Sequence, residues 1–407
     1  MKRSGYSDLP LHGGRVPRWL YSRMARLGSA IIEVIVSEYG PAEFLSRMSD
    51  PFWFQSFGAV LGMDWHSSGI TTAVMGALKG PVNQMSSDLG IYICGGRGNH
   101  SRATPKELFE IAAQIGLDGD YLMRTSRLSA KIDNTAIQDG FQLYLHNFIL
   151  TKDGDWSVIQ QGMNPALQLA RRYHWHGANV KSFLEDPHTS IVGPNMGEIL
   201  NLVDKNAGPS RQGVLDIVKE SPAHMISELP YLKMPKHHDV RFTDVDLRRL
   251  GTMLYQTHDA GLQDFESLLL FQGMGPRTLQ SLALVSEVIY GTPTRFNDPA
   301  RFSFAHGGKD GHPFPVPTKV YDETINFLDK VISQSKVTRS DKLQACKALY
   351  EISKRNEKDF EIDQSKYEAY LQHERDLSSA LGGRTVFQDI KKADQNRSAQ
   401  NHQLELF

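Results

Sequence analysis

The segment from Lys131 to Asn164 concentrates the side chains best suited to chemistry. It begins as KIDNTAIQD, a helical pattern carrying Asp133 and Asp139, and continues as GFQLYLHNFILTKDGDWSVIQQGMN. The second part contains two β-rich runs around Asp153-Gly154, and an Asp-Gly pair between such runs predicts a β-hairpin. The sequence therefore predicts two carboxylates at the end of a helix beside a hairpin.

One face of this predicted hairpin gathers polar side chains. If Asp153 and Gly154 form the loop, His146 lies opposite Gln161, and the two-residue period of a strand puts Gln142 on the same face. Together with Asp133 and Asp139, these residues would form a catalytic set.

Carboxylates can hold a hard cation, Mg²⁺ or Mn²⁺, that activates water and stabilises the charge developing in phosphodiester cleavage. A neighbouring histidine can bind the metal or act as general base. We therefore expect Asp133, Asp139 and His146 to bind a divalent metal in a nuclease site, with Gln142 and Gln161 in support. The alternative is an ordinary half-solvated sheet face with Asp139 ending the helix.

Two pairs of residues that each flank a tryptophan are further candidate ligands. Asp64 and His66 flank Trp65, and His174 and His176 flank a second tryptophan. The first pair fits either a metal site or a packed turn, and the second fits either a ligand pair or simple surface chemistry.

A second informative segment, Leu268 to Tyr290 (LLLFQGMGPRTLQSLALVSEVIY), has the pattern of a helix-hairpin-helix. An apolar helix end precedes a Gly-Met-Gly turn, and a second apolar helix starts at a proline, which suits a first helical position. Glycine leaves the amides of the second helix open to a phosphate oxygen. We expect a DNA-backbone contact here that does not read base sequence, and the alternative is an ordinary helical hairpin. The predicted DNA-binding residues of this segment are Gly273, Met274, Gly275, Arg277 and Thr278.

The surrounding patterns predict an α+β protein. Residues 19–39 have helical periodicity, GIYIC at 90–94 resembles a strand, and a helix from Pro165 is expected to end in ARRYHWHG. In that last segment Arg171 and Arg172 are candidate phosphate contacts. The predicted organisation is an N-terminal mixed α/β domain at 1–196, a helical DNA-binding domain at 197–316, a charged helical extension at 317–390 and a tail at 391–407.

Bulk composition limits the classes of function. The 407 residues carry a formal net charge of −1, so a nucleic-acid partner requires local basic patches. The first 26 residues supply one, which includes Arg23 and Arg26. Two cysteines exclude a disulfide framework, and neither a membrane span nor a signal peptide is recognised, so we expect a cytoplasmic, nucleoid-associated protein.

The chain ends in an apolar peptide after a polar segment. Gln403, Leu404, Leu406 and Phe407 belong to QLELF, whose large apolar side chains suit anchoring in a partner's groove. The five residues resemble the peptide by which bacterial replication and repair proteins bind the sliding clamp. The alternative is an apolar end that folds back on the last helix.

Several N-terminal motifs resemble a family. LPLHGGRVPRWL, DPFWFQSFGAVLGMDWHSSGITT, QDGFQLYLHNFI, WSVIQQGMN and RRYHWHG are together similar to domain of unknown function 763, over roughly residues 5 to 315. That family implies no secure activity. A second resemblance, to helix-hairpin-helix DNA glycosylases, implies a catalytic aspartate about twenty residues after the hairpin, and Asp298 stands at that distance.

The leading hypothesis is thus a metal-dependent DNA nuclease that grips the backbone and is tethered to the sliding clamp. A non-enzymatic DNA-structure-binding adaptor and a glycosylase using Asp298 are the alternatives. A nuclease site requires the carboxylates and histidine to converge in a cleft, whereas an adaptor requires no such convergence.

Overall fold

The first long helix has the apolar periodicity of an element that covers a core. In a computed structural model, which describes residues 9–10, 16–63, 68–228, 247–300 and 318–358, this helix (α1) spans Arg18–Tyr39. It buries Met24, Ile31 and Ile35 along one stripe. The helix predicted at 19–39 is confirmed.

The other elements follow in chain order. The helices are α2 Pro41–Ser49, α3 Pro51–Val60, α4 Gly69–Gln84, α5 Ser86–Leu89, α6 Asn99–Ile115, α7 Gly119–Lys131, α8 Gly208–Lys219, α9 Pro222–Glu228, α10 Leu247–Asp259, α11 Phe265–Leu270, α12 Pro276–Tyr290, α13 Thr318–Gln334 and α14 Arg339–Lys358. The strands are β1 Leu9–Pro10, β2 Ile91–Arg97, β3 Gln142–Thr151, β4 Trp156–Asn164, β5 Leu169–His176 and β6 Ser190–Val192.

The strands form one antiparallel sheet, so the predicted α+β class is confirmed. Strand order is β1-β5-β4-β3-β2, and β6 also pairs with β5. The predicted strand at 90–94 is β2, which continues through two glycines to Arg97. At Gly95, an added Cβ would lie 2.2 Å from the carbonyl oxygen of His146, so only glycine fits this close approach.

The β3–β4 hairpin is present, but its register differs from the predicted one by one residue. The amide of Thr151 donates to the carbonyl of Asp155 at 2.8 Å, and Gly154 has φ 91°, so the loop holds three residues rather than two. His146 therefore pairs with Gln160 instead of Gln161. Since neighbouring residues of a strand point to opposite faces, this one-residue shift exchanges the two glutamines between faces.

The segment ending in ARRYHWHG is strand β5, so the helix predicted from Pro165 is wrong. Tyr173 and Trp175 point to one core, and the alternate residues Arg172 and His174 point to the other side of the sheet. Because β5 lies inside the sheet with both faces covered, its polar and apolar residues are equally buried. The usual alternation of buried and exposed residues is therefore missing.

Helices cover both faces of the sheet. On the first face, α1 to α4 share a hydrophobic core with Ile93, Ile149 and Ile159. On the second face, α6, α7 and the helices from α8 to α12 share another core that runs without a break from Trp175 to Met274. The boundary predicted at residue 196 crosses this second core.

The described part of the charged extension, α13 and α14, packs on the N-terminal helices. Leu328 of α13 and Leu349 of α14 belong to the first core. Asp341 of α14 accepts hydrogen bonds from Arg23 at 3.0 Å and from Arg26 at 2.7 Å. These two arginines of the predicted basic patch are therefore engaged with the protein's own C-terminal helix.

Within the ranges described, no helix is long and apolar enough to cross a membrane.

Candidate functional site

The predicted helical hairpin consists of α11, a turn at 271–275 and α12. Gly273 takes φ 90°, which glycine adopts without strain, and Pro276 occupies the first turn of α12. The amide of Leu279 is bonded to the carbonyl of Gly275 at 3.0 Å. The amides of Arg277 and Thr278 precede this bond, and by helix geometry they belong to the first turn that lacks internal acceptors.

The side chains of the hairpin divide into exposed and buried ones. Arg277 is exposed beside the start of α12, as a phosphate contact requires. Met274 and Thr278 are only 1% and 4% exposed. The prediction that the side chains of Met274 and Thr278 contribute to DNA binding is therefore corrected, because both pack inward.

Gly275 is a glycine that neither backbone conformation nor packing requires. Its φ is −121°, and a Cβ added there would meet nothing nearer than the Arg249 Nη2, at 3.9 Å. It is the N-cap of α12 and offers no side-chain hydrogen bond, although serine or aspartate would stabilise the helix more. A side chain at this position would stand beside the two amides. The glycine thus keeps the helix start open.

Two side chains from the sheet-covering region hold the hairpin in place. Lys131 Nζ, at the end of α7, donates to the Met274 carbonyl at 2.6 Å, and Gln138 Nε2 donates to the Pro276 carbonyl at 2.7 Å. Partial burial lowers the pKa of Lys131. Between these two residues lies a π-helical turn, Ile132–Ala136, so the hairpin is anchored to the segment that carries Asp133.

A buried hydrogen-bond chain starts from Asp133. Its Oδ2 accepts from Gln160 Nε2 at 2.6 Å and from Trp175 Nε1 at 3.0 Å, and its Oδ1 lies 2.5 Å from His188 Nε2. Burial raises the pKa of this carboxyl group, and His188 opposes the change. Both carboxylate oxygens are therefore occupied by protein donors.

The same chain continues from Gln160 to a serine. Because the Gln160 amide nitrogen faces Asp133, its Oε1 accepts from His146 Nδ1 at 2.8 Å. The other ring nitrogen, Nε2, is then the acceptor for the Ser126 hydroxyl, also at 2.8 Å. Burial lowers the pKa of His146 to about 4, so the ring is neutral near neutral pH. Ser126, His146 and Gln160 thus follow the order nucleophile, base and orienting group that is found where a histidine activates a serine. Ser126, however, belongs to α7 and is fully buried on the inner side of that helix.

A second buried network surrounds Arg171. This guanidinium donates to Asp139 Oδ2 at 2.8 Å and to both carboxylate oxygens of Asp298, at 3.0 and 2.6 Å. Tyr173 donates its hydroxyl to Asp139 at 2.6 Å, and Asp298 also accepts from the Met196 amide at 2.6 Å. Burial alone would lower the pKa of Arg171, but the two aspartates together raise it above its ordinary value.

Arg171 is therefore a charged structural centre. The expectation that it contacts phosphate is corrected, because it has no exposed surface and both of its terminal nitrogens donate to protein acceptors. The glycosylase expectation meets the same obstacle, since Asp298 is enclosed in this network.

Arg172 faces the opposite side of the sheet and is equally buried. It donates to His174 Nε2 at 2.8 Å and to Gln55 Oε1 at 2.9 Å. Burial lowers the pKa of Arg172 to about 9 and the pKa of His174 well below its usual range. The predicted phosphate contact at Arg172 is thus corrected as well. His176 lies at the end of β5 and is half-buried.

The proposed metal ligands do not converge. Asp133 and His146 belong to one network and are separated by Gln160, whereas Asp139 belongs to the other and is neutralised by Arg171. Across the ranges that the structure covers, no three His, Cys, Asp or Glu side chains form a metal-ligand group. The predicted set therefore does not fit a hard cation, because its oxygens and ring nitrogens already have protein partners.

The two supporting glutamines are also separated from these ligands. Gln161 points to the first face, where its Nε2 donates to the Ser68 carbonyl at 3.0 Å and contacts the Tyr144 hydroxyl. Gln142 is exposed and precedes a register shift between Leu143 and Leu145. That irregularity breaks the two-residue period on which its predicted position depended.

Several residues of the networks were not found from the sequence. The predicted register puts Gln161 opposite His146 and so hides Gln160, and the helix predicted from Pro165 hides the inward orientation of Tyr173. His188 lies in a loop, and no local pattern indicates that it reaches Asp133. Of the other candidates, Asp64, His66 and the C-terminal peptide 403–407 lie outside the residues that the structure describes.

The fold is an α+β protein in which the helical hairpin of α11 and α12 packs beside a sheet whose interior contains buried polar networks. Residues 5–316 match the family described as Protein of unknown function (DUF763), and the chain belongs to that family. No curated protein matches the chain. No solved structure matches it either.

Proposed function

We propose that this protein binds the phosphate backbone of DNA through the hairpin of α11 and α12. The observation that carries the proposal is the start of α12. Gly275 places no side chain over the first-turn amides of Arg277 and Thr278, although neither its φ nor its surroundings require glycine, and the exposed Arg277 side chain stands beside them. Such a helix start attracts a phosphate group through its amides and its partial positive charge.

Recognition by this geometry would be independent of base sequence. Amides and a single arginine can fix the position of a phosphate, but they make no contact with base edges. The anchoring of the turn by Lys131 and Gln138 favours a rigid grip, because the amides then keep their orientation without a bound ligand. Backbone binding also agrees with the balanced net charge, since only a local surface is required.

The residues predicted to bind a metal favour DNA binding over metal-dependent cleavage as the function. Asp133, Asp139 and His146 are committed to buried hydrogen bonds, and the proposed function therefore corresponds to the DNA-structure-binding alternative. Nuclease activity stays a prediction of the sequence. Incubating end-labelled single-stranded, flapped and duplex DNA with the protein and Mg²⁺, Mn²⁺ or EDTA tests it, and metal-dependent cutting would require a site elsewhere in the chain.

The test of backbone binding is fluorescence anisotropy with labelled duplexes of two unrelated sequences between 50 and 200 mM salt. We expect equal affinity for both duplexes. The logarithm of the binding constant should fall linearly with the logarithm of the salt concentration. Gly275→Ala adds a methyl group that has room, so the fold should be retained while phosphate approach is obstructed. Arg277→Ala removes one ionic contact. Each variant should weaken binding roughly tenfold, which is the usual size of one charge-assisted hydrogen bond.

A matched control is Arg339→Ala, which removes an exposed arginine at the start of α14, on the opposite side of the sheet. Its affinity should equal that of the native protein. Equal binding by native protein, Gly275→Ala and Arg277→Ala would refute the proposed site, and the absence of any DNA binding would refute the function.

Tethering to the sliding clamp is a separate part of the proposal and is supported by the sequence alone. A synthetic peptide ending in Gln403 to Phe407 should bind a purified bacterial clamp, and the peptide with Leu406→Ala and Phe407→Ala should not. Full-length protein carrying both substitutions should keep its DNA affinity. Clamp binding that survives both changes would exclude the peptide as the anchor.

A further inference from the structure

One side of α7 lies along the helical hairpin. Arg124, Arg127 and Lys131 are spaced by three and four residues, so they follow one side of the helix. Arg124 is bonded to Glu266 in α11 at 3.0 Å, and Lys131 is bonded to the Met274 carbonyl in the turn at 2.6 Å. The two ends of this row therefore both face the hairpin.

Arg127 lies between those two anchors and is exposed. At 1.5 Å of rise per residue, it stands about 6 Å along the axis from Lys131. Because it lies four residues before Lys131, its position is on the same side of α7 as Lys131. Arg124 differs, because Glu266 and the more distant Asp264 offset its charge.

Three helices thus contribute cations on the side of the hairpin turn. Arg127 and Lys131 come from α7, Arg277 from α12, and Arg249 of α10 lies near Gly275. Lys131 uses one ammonium hydrogen on Met274, and an ammonium group carries three. The acidic groups that this row contacts are those of α11, at the end remote from the turn.

We propose that α7 forms a second part of the DNA-binding surface, in which Arg127 and Lys131 contact the phosphates next to the one held at α12. The inference rests on the proposed function, because the hairpin fixes where the backbone passes. The ligand is a phosphodiester backbone, which carries a regular series of negative charges and so complements a row of cations. Helix α7, which covers the sheet, would then also help to fix the position of the DNA backbone.

The experiment measures duplex DNA affinity against salt for the full-length protein and four variants. Arg127→Ala should weaken binding about three- to tenfold and reduce the slope of log K against log salt by about 0.9, the value for one phosphate contact. Arg127→Lys should retain the native slope, because it keeps the charge. Arg127→Glu should weaken binding more than alanine does, because it repels phosphate. Lys131→Met should also lower the slope.

The controls separate this inference from the proposed function. Arg339→Ala should leave affinity and slope unchanged, and circular dichroism of each variant should match that of the native protein. If the native protein binds, Arg277→Ala weakens binding, and Arg127→Ala changes neither affinity nor slope, the α7 surface is refuted while the hairpin site stands. If the native protein does not bind DNA, both proposals fail.

Discussion

The interior of the sheet and the surface of the hairpin use the same residue types in opposite ways. Arg171 is enclosed with Asp139 and Asp298, and its charge has no access to solvent. Arg277 is exposed at the start of a helix. The two arginines have the same side-chain chemistry. Their exposure to solvent decides which of them can bind a ligand.

The difference arises from where each segment lies in the fold. Strand β5 is paired on both sides and covered on both faces, so its arginines need partners inside the protein. The hairpin packs its apolar residues inward and leaves the glycine-rich turn at the surface. A polar cluster in a central strand is thus a weaker indication of a ligand site than a polar residue at an exposed turn.

The largest expected effect is that of Arg171→Met. The substitution leaves Asp139 and Asp298 buried without their cation, and breaking a buried ion pair of this kind costs about 3 to 5 kcal/mol. Urea unfolding followed by circular dichroism measures the loss. Protein that remains folded at low temperature should bind DNA as the native protein does. Normal stability combined with weaker DNA binding would contradict the assignment of Arg171 as an enclosed structural residue. It would indicate that Arg171 contacts phosphate.

The next effect is a loss of stability at acid pH. The folded state lowers the pKa of His146 to about 4, whereas an unfolded histidine has its usual value near 6.5. Between these values the unfolded chain binds a proton that the folded chain does not. The contribution of His146 to stability is therefore complete above about pH 6.5 and is lost as the pH falls toward 4, by roughly 3 kcal/mol. Buried His174 acts in the same direction.

The variant His146→Leu isolates this contribution. It should be less stable than the native protein at pH 7, because Ser126 and Gln160 lose a partner. Its free energy of unfolding should nevertheless fall less between pH 6.5 and 4.5, since one proton-binding group of the unfolded chain is gone. Equal pH dependence in both proteins would mean that His146 is accessible and titrates normally in the folded state.

The sequence predicted more of the local structure than of the contacts between segments. Helix α1, strand β2 and the two helices around Gly273 follow from local patterns, because periodicity and glycine act over a few residues. The partner of His146 depended on a loop length, and three residues rather than two changed it from Gln161 to Gln160. The bond of Asp298 to Arg171 joins positions 127 residues apart, and no local pattern contains such information.

The smallest expected effect concerns Arg26, a member of the predicted basic patch. Arg26→Ala removes one of the two arginines that hold Asp341, but its side chain is 58% exposed, and such partly exposed pairs are worth less than about 1 kcal/mol. DNA affinity and its salt dependence should stay within experimental error of the native values, because α1 covers the face of the sheet opposite to the hairpin. Anisotropy titrations beside Arg277→Ala provide the comparison. A weaker affinity in Arg26→Ala would place part of the DNA surface on the N-terminal helices, and the distinction between enclosed and exposed arginines would then no longer identify the binding side.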